Sequence, residues 1–375
     1  MGVSVVGMLK VFRFVAAAAM AVALTPAPSA AAAPALAAPG APIATLYNDT
    51  TSFSHTGRCT QGPAGTVRTP DGKTKQVMIT AAHCFEVKGE TVLPVVYAPV
   101  HRNGKVTYPR VGEIDTQRSE FPLGNGELMD FYRIIDEPDW AMIRLDQGVE
   151  ASTWSTSRSQ WGGAASPAVA ITGVKDYPSL GNQLIAFDNF GQPICKDGAT
   201  TGRTCATQIG RSRNAVYSWN LGYKPGDSGG VNFDPRDGAV IGISSMGIGP
   251  VGKAQPADRI IEDAYGVPDG QVNEVFKVTE SSAPRAEFTP SGVEEQRVDD
   301  EIRRLNPGYA PLEPRAEFRK AVGAAQRDAR HLADKAVRGQ FNRTEVEHAV
   351  DHHTEELTFW GSGVIAENIN EALGR

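Results

Sequence analysis

Between residues 41 and 278 the apolar residues come in short runs, each closed by glycine, proline or a small polar cluster. Thr66-Val67-Arg68 and Gln76-Val77-Met78-Ile79 flank Pro70-Asp71-Gly72-Lys73, the pattern of two strands joined by a tight turn. Val92 to Val100, Lys105 to Val111, Ala141 to Leu145, Ala168 to Val174, Leu184 to Phe187 and Ala239 to Ser244 continue it. No long stretch of helical period interrupts them. Such punctuation predicts an all-β sandwich or barrel.

At 375 residues the chain exceeds one ordinary domain. Its formal net charge of −6 gives no electrostatic footprint for nucleic acid. Lys10 and Arg13 precede an apolar run from Phe14 to Leu24, and small residues offer cleavage points after Ala30, Ala32 or Ala37. Residues 1–37 therefore read as a signal peptide and Ala/Pro-rich leader, with the first forty residues outside the fold. The run is well short of the ~20 residues a spanning helix needs, and no other stretch could span a membrane. The expected product is a secreted, extracellular protein.

Four cysteines suit that compartment and allow three pairings, of which Cys59–Cys84 with Cys195–Cys205 is the local choice. Closing the Cys59–Cys84 loop is worth roughly 3 kcal/mol in the chain-entropy model. The cysteines lack the paired spacing of a metal site, so neither a metal nor a cofactor is expected.

The stretch that carries chemistry is Gly226-Asp227-Ser228-Gly229-Gly230. A serine hydroxyl is a weak nucleophile and needs a base, plus donors for the oxyanion it creates. Glycines on both sides let the backbone bend so that neighbouring amides share one small pocket. The amides of Gly226 and Ser228 are the candidates. Upstream, His83 stands in Thr80-Ala81-Ala82-His83-Cys84, and Asp139 opens Asp139-Trp140-Ala141-Met142-Ile143-Arg144-Leu145. Asp130 and Asp136 are nearby substitutes, but neither leads into a buried apolar run.

The order His, Asp, Ser resembles that of the trypsin/chymotrypsin-like serine proteases, in particular their secreted bacterial members. The resemblance covers roughly residues 41–278. It implies two six-stranded antiparallel barrels with a cleft between them, His83 and Asp139 coming from the first and Ser228 from the second. It also implies a bridge from Cys84 to an upstream strand, and it likens the segment between Cys195 and Cys205 to a bacterial Thr-Thr-Gly loop. Asp227 would hold the oxyanion loop through an ion pair, for which Lys196 is the nominee. Gly222 stands where trypsin-like members carry an aspartate. Ser245 and Gly247 would line the substrate, with Gly247 leaving the pocket mouth open. Without an acidic floor a basic side chain would be buried unpaired, so apolar or small residues are expected before the scissile bond. The implied activity is a serine endopeptidase acting on a protein or peptide. Two alternatives are a secreted non-catalytic binding protein on the same scaffold and an esterase.

Past residue 278 the composition changes. Residues 279–292 read as a linker, and 293–375 as a helical extension of unknown role with a possible protein partner. Val298, Ile302 and Leu305 share a helical face, and Phe318, Val322, Ala329, Leu332, Ala336 and Phe341 form a longer stripe. Further helices are expected from caps near Thr344 and Ser362. Pro-Arg-Ala-Glu-Phe occurs at 284–288 and again at 314–318. His348 and His352, with His353 and Glu345 near, have the spacing of a metal pair on one helix, but no third ligand is evident.

Overall fold

The computed structural model describes residues 33–46, 59–86, 92–119, 136–248, 250–281, 283–308 and 313–372. The leader signals up to Ala32 and the alternative Asp130 lie outside them.

Twelve strands build two sheets. We number them β1 (Ala64–Arg68), β2 (Thr74–Thr80), β3 (Val95–Tyr97), β4 (Arg110–Ser119), β5 (Asp139–Leu145), β6 (Pro193–Gly198), β7 (Gly202–Arg211), β8 (Val216–Trp219), β9 (Val231–Phe233), β10 (Val240–Ile248), β11 (Val251–Pro256) and β12 (Phe276–Val278). The first sheet has the order β12-β1-β2-β5-β4-β3, and β6-β7-β8-β11-β10-β9 close into a barrel. The first half is thus a six-stranded sheet, not the closed barrel expected. Among the described residues its edge strands β12 and β3 do not meet.

The β1–β2 hairpin forms as its sequence dictates. Gly72 takes a positive φ of 80° at the turn, and Thr69 Oγ1 donates to Asp71 Oδ1 at 2.5 Å. Strand β2 lies between β1 and β5, so its Val77, Met78 and Ile79 are fully buried, as are Ala141, Met142 and Ile143 of β5. Each such large side chain contributes roughly 1.5–3 kcal/mol of burial. Thr80 pairs with Ala141. The exit of β2 therefore runs beside the entrance of β5.

Some segments depart from their patterns. Leu184 to Phe187 is no strand; Leu184 and Phe187 are about two-thirds exposed, and Ala186 alone forms a bridge, to Arg211. Lys105 to Val111 divides between a short strand at Lys105–Thr107 and β4. The stretch between Cys195 and Cys205, read as a loop, is mostly paired strand, with Cys195 directly opposite Cys205. Its polar residues hid it, because their partners are buried charges rather than apolar neighbours. A helix without a sequence signal, α1 (Ala257–Tyr265), buries Ile260 and Ile261 and ends at Gly266 with φ 64°. Beyond α1 and the short α2 (Val272–Val275), β12 pairs with β1, tying the end of the barrel half to the first sheet.

The expected linker is a packed strap. The Ala35 amide donates to Pro284 O at 2.7 Å, that of His101 to Glu287 O at 2.7 Å, and that of Thr289 to Pro99 O at 2.8 Å. Arg285 donates to Pro39 O and Thr156 O, and burial lowers its guanidinium to about 10. Residues 33–41 belong to the fold as well. Ala35, Ala37 and Ala38 are fully buried, and Ala37 O accepts from Ser152 N. Leader removal after Ala37 would strip this packed segment, whereas the other two cleavage points leave it whole.

Three helices follow: α3 (Ser291–Leu305), α4 (Pro314–Val337) and α5 (Arg343–Ala372). Val298 of α3 is buried, whereas Leu305 of the same stripe is two-thirds exposed. Helix α4 ends before Phe341, which is two-thirds exposed. Asn342 Oδ1, not Thr344, accepts the first amides of α5, and the helix passes Ser362 unbroken.

Candidate active site

Residues Ala82–Phe85 make one tight helical turn directly after β2, and His83 sits in it. The disulfide Cys59–Cys84 anchors this turn from the next residue. The second bridge is Cys195–Cys205. Both local pairings expected from the sequence are present.

Asp139, the first residue of β5, is fully buried. Its Oδ1 accepts from the His83 amide at 3.0 Å, and its Oδ2 lies 2.8 Å from His83 Nδ1. One carboxylate thus fixes both backbone and ring of the histidine. Asp136 lies apart, accepting from Ser212 and Asn214. Burial alone would raise the Asp139 carboxyl, but the His83 charge and hydrogen bonds outweigh it and hold it down at about 2. The histidine moves oppositely. Desolvation pushes it down, and the Asp139 charge and hydrogen bond push it further up, above its ordinary 6.5. The His83 side chain is 32% exposed, so the pair opens on solvent from the histidine side.

A third residue completes this chain of bonds. Ser245 Oγ donates to Asp139 Oδ2 at 2.6 Å. The register of β10 against β11 slips between Ser244 and Met246, which makes Ser245 the bulged residue. A bulge re-aims a side chain, here across to the carboxylate. Ser245 was expected along the substrate, and its hydroxyl serves Asp139. Lys253 on β11 is buried nearby and donates to Glu137 O at 2.5 Å, with burial lowering its ammonium to about 8. The sequence signalled neither role, because both depend on strand register.

Ser228 is brought to the same place by its neighbours. Its carbonyl accepts from Thr60 N at 2.7 Å, next to Cys59 of the bridge to the histidine turn. A Cβ on Gly229 would stand 2.0 Å from Thr80 Oγ1 and 3.1 Å from Ala81 N. Gly229, with φ 82°, is therefore the residue that lets the serine loop lie against the turn bearing His83. The amides of Asp227, Gly229 and Gly230 are committed to Lys224 O, Ser244 O and Asp227 O. Among the described residues the amides of Gly226 and Ser228, the two expected oxyanion donors, have no such backbone acceptor.

Asp227 is buried behind them. Lys196 Nζ reaches its Oδ2 at 2.9 Å, and both side chains are essentially unexposed. The carboxylate also accepts from the amides of Thr200, Thr201 and Lys224 and from Thr201 Oγ1. The nominated lysine is the partner.

Gly222 takes φ 72°, and Gly247 pairs with Gly252 across β10 and β11. The space that Gly247 was expected to leave open holds Tyr223, whose Cβ would be 2.9 Å from a Cβ on Gly247.

Among the described residues two groups bring three ligating atoms within 4.8 Å. In one, Cys59 and Cys84 are consumed by their disulfide beside His83. In the other, Asp176, Glu262 and Asp269, the last two already pair with Arg259. Of the residues near the His348–His352 pair, His353 meets Asp328 at 2.9 Å, and Glu345 pairs with Lys335. No helix among the described residues is long and apolar enough to cross a membrane.

Solved structures similar to the chain include protease A of Thermobifida fusca, at 18% identity and TM-score 0.36, covering 65% of this chain and 99% of that one. The VesB protease of Vibrio cholerae matches at 14% and 0.33, covering 59% and 61%. An inactivated protease paralogue of the scabies mite matches at 12% and 0.29, covering 55% and 93%. Likenesses this slight say nothing of activity. No family model and no curated protein matches the chain.

Proposed function

We propose that the protein is a secreted serine endopeptidase working through an acyl-enzyme. His83 takes the proton of Ser228 Oγ as that oxygen attacks a peptide carbonyl, and returns it to the departing amine. Asp139 fixes the tautomer with the proton on Nδ1 and stabilises the imidazolium that develops. The amides of Gly226 and Ser228 receive the oxyanion, each donor contributing roughly 3 kcal/mol in the transition state. The observation that carries the reading is the Ser245–Asp139–His83 chain of hydrogen bonds lying against a serine loop with two uncommitted amides.

The Lys196–Asp227 pair supports a second part of the proposal. The oxyanion loop is held by a side chain of the same barrel, so its shape does not depend on a newly freed N-terminus. Gly222 in place of an acidic floor supports apolar or small residues before the scissile bond. We also propose residues 293–375 as a partner-binding or inhibitory extension, on the strength of exposed Leu305, Val337, Phe341 and Val350.

The test is fluorophosphonate labelling of the secreted full-length chain beside a Ser228→Ala control, repeated on a chain ending at residue 308. That end point keeps the strap and α3. Labelling of both forms, absent in the control, is the expected result. Labelling only after shortening assigns the extension an inhibitory role. A well-folded protein that never reacts ends the enzyme reading and leaves a binding protein on a protease scaffold.

A further inference from the structure

The wall beside the nucleophile is not empty. Tyr223 stands three residues before Gly226, and its ring lies against the paired glycines Gly247 and Gly252. A Cβ on Gly252 would meet the ring at 2.0 Å, and one on Gly247 would meet Tyr223 Cβ at 2.9 Å. The hydroxyl donates to Asn232 Oδ1 at 2.7 Å, and Lys196 Nζ lies 5.6 Å from the ring centre. Asn232 is itself fixed, donating to Gly230 O at 3.1 Å and Ser244 Oγ at 2.9 Å. The ring is thus held at its tip, over its face and along its edge. Desolvation raises its hydroxyl above the ordinary tyrosine range.

Three elements meet there: the 222–226 segment leading to Ser228, β10 just past Ser245, and β11. On the endopeptidase reading, a substrate side chain next to a carbonyl under attack by Ser228 would enter between them. We infer that Tyr223 is a specificity-determining residue that fills this pocket with the protein's own aromatic ring. The substrates are then peptides with glycine, alanine or serine before the scissile bond. A leucine or phenylalanine side chain would have to displace a ring anchored by a part-buried hydrogen bond, which overpacks the site. This inference rests on the endopeptidase reading and narrows it.

The experiment compares fluorogenic peptides that differ only in alanine, leucine or phenylalanine before the scissile bond. They are offered to the full-length wild type, Tyr223→Ala and Tyr223→Phe, each first checked by fluorophosphonate labelling. The wild type is expected to favour alanine over phenylalanine by more than about 100-fold in kcat/KM. Tyr223→Ala should raise the phenylalanine-to-alanine ratio by at least roughly tenfold. Tyr223→Phe, which keeps the ring and drops the hydroxyl, should retain the preference for alanine. A labelled wild type that cleaves equally well after leucine or phenylalanine overturns the inference by itself, even if Tyr223→Ala does not fold. So does an unchanged ratio in a folded, labelled Tyr223→Ala. A wild type that is not labelled at all overturns the endopeptidase reading instead.

Discussion

Asp139 and Asp227 are both carboxylates withdrawn from water, and the two halves of the molecule treat them differently. Asp139, at the start of a central strand of the first sheet, accepts from one histidine and one serine. Its countercharge is a side chain whose charge comes and goes near neutral pH. Asp227, inside the barrel, accepts from a lysine, a threonine hydroxyl and three backbone amides. A buried carboxylate saturated with donors and set against a buried ammonium holds a loop still. One set against an imidazole that reaches solvent can assist a proton transfer. Burial is common to both; the partner decides the role.

Four changes would break or sharpen that contrast. Asp139→Asn removes the charge that orients His83, so kcat/KM should fall by about 10⁴-fold while the fold survives; active-site titration beside a melting curve checks both halves of the statement. Lys196→Met should act the other way round. It strands the Asp227 charge in the barrel and should cost about 3–5 kcal/mol of stability, with activity lost as the oxyanion loop relaxes. If its urea midpoint equals that of the wild type, the lysine is not the anchor. Gly198→Ala comes next. Its new methyl would sit 2.1 Å from Asp227 Oδ1, so the loop must shift, at a cost of about 1–3 kcal/mol visible in the melting temperature. Ser245→Ala removes one of three bonds to Asp139 and should lower kcat/KM by roughly tenfold with little change in KM.

The smallest effect is in pH. His83 is raised in the folded state, so the neutral base needed for catalysis appears only as pH climbs through a midpoint above 6.5. Stability runs oppositely: protonated His83 stabilises the fold fully below its unfolded value, and that contribution fades as pH rises through the folded one. Asp139 is depressed, so its share is present above 3.8 and is lost as pH falls towards about 2. In Asp139→Asn the carboxylate charge that raises His83 is gone, and burial and the Lys253 charge are opposed chiefly by the weaker Glu86 charge, so its midpoint, followed by NMR, should drop.

The residues proposed to react stood out because each stands in a local context of its own. Asp139 opens a strand that must be buried, His83 follows another, and Ser228 lies among glycines that the turn requires. The linker was misread for the opposite reason. Proline and small polar residues signal an exposed loop, and nothing local says that Arg285 will be drawn in to the carbonyls of Pro39 and Thr156. Tyr223 was passed over because the glycines that accommodate it belong to other strands.

The repeated pentapeptide separates the two kinds of information most cleanly. Pro284-Arg285-Ala286-Glu287-Phe288 runs extended, bridging at Arg285 and Phe288, whereas Pro314-Arg315-Ala316-Glu317-Phe318 opens helix α4. The same five residues carry the same propensities, so sequence alone leaves both conformations accessible. It determined which side chains could do chemistry and which strands must be buried, since those follow from residue type and period. The tertiary structure decided what each segment lies against: backbone groups of Ala35 and His101 paired with the first copy hold it extended, and the helical hydrogen bonds of α4 absorb the second.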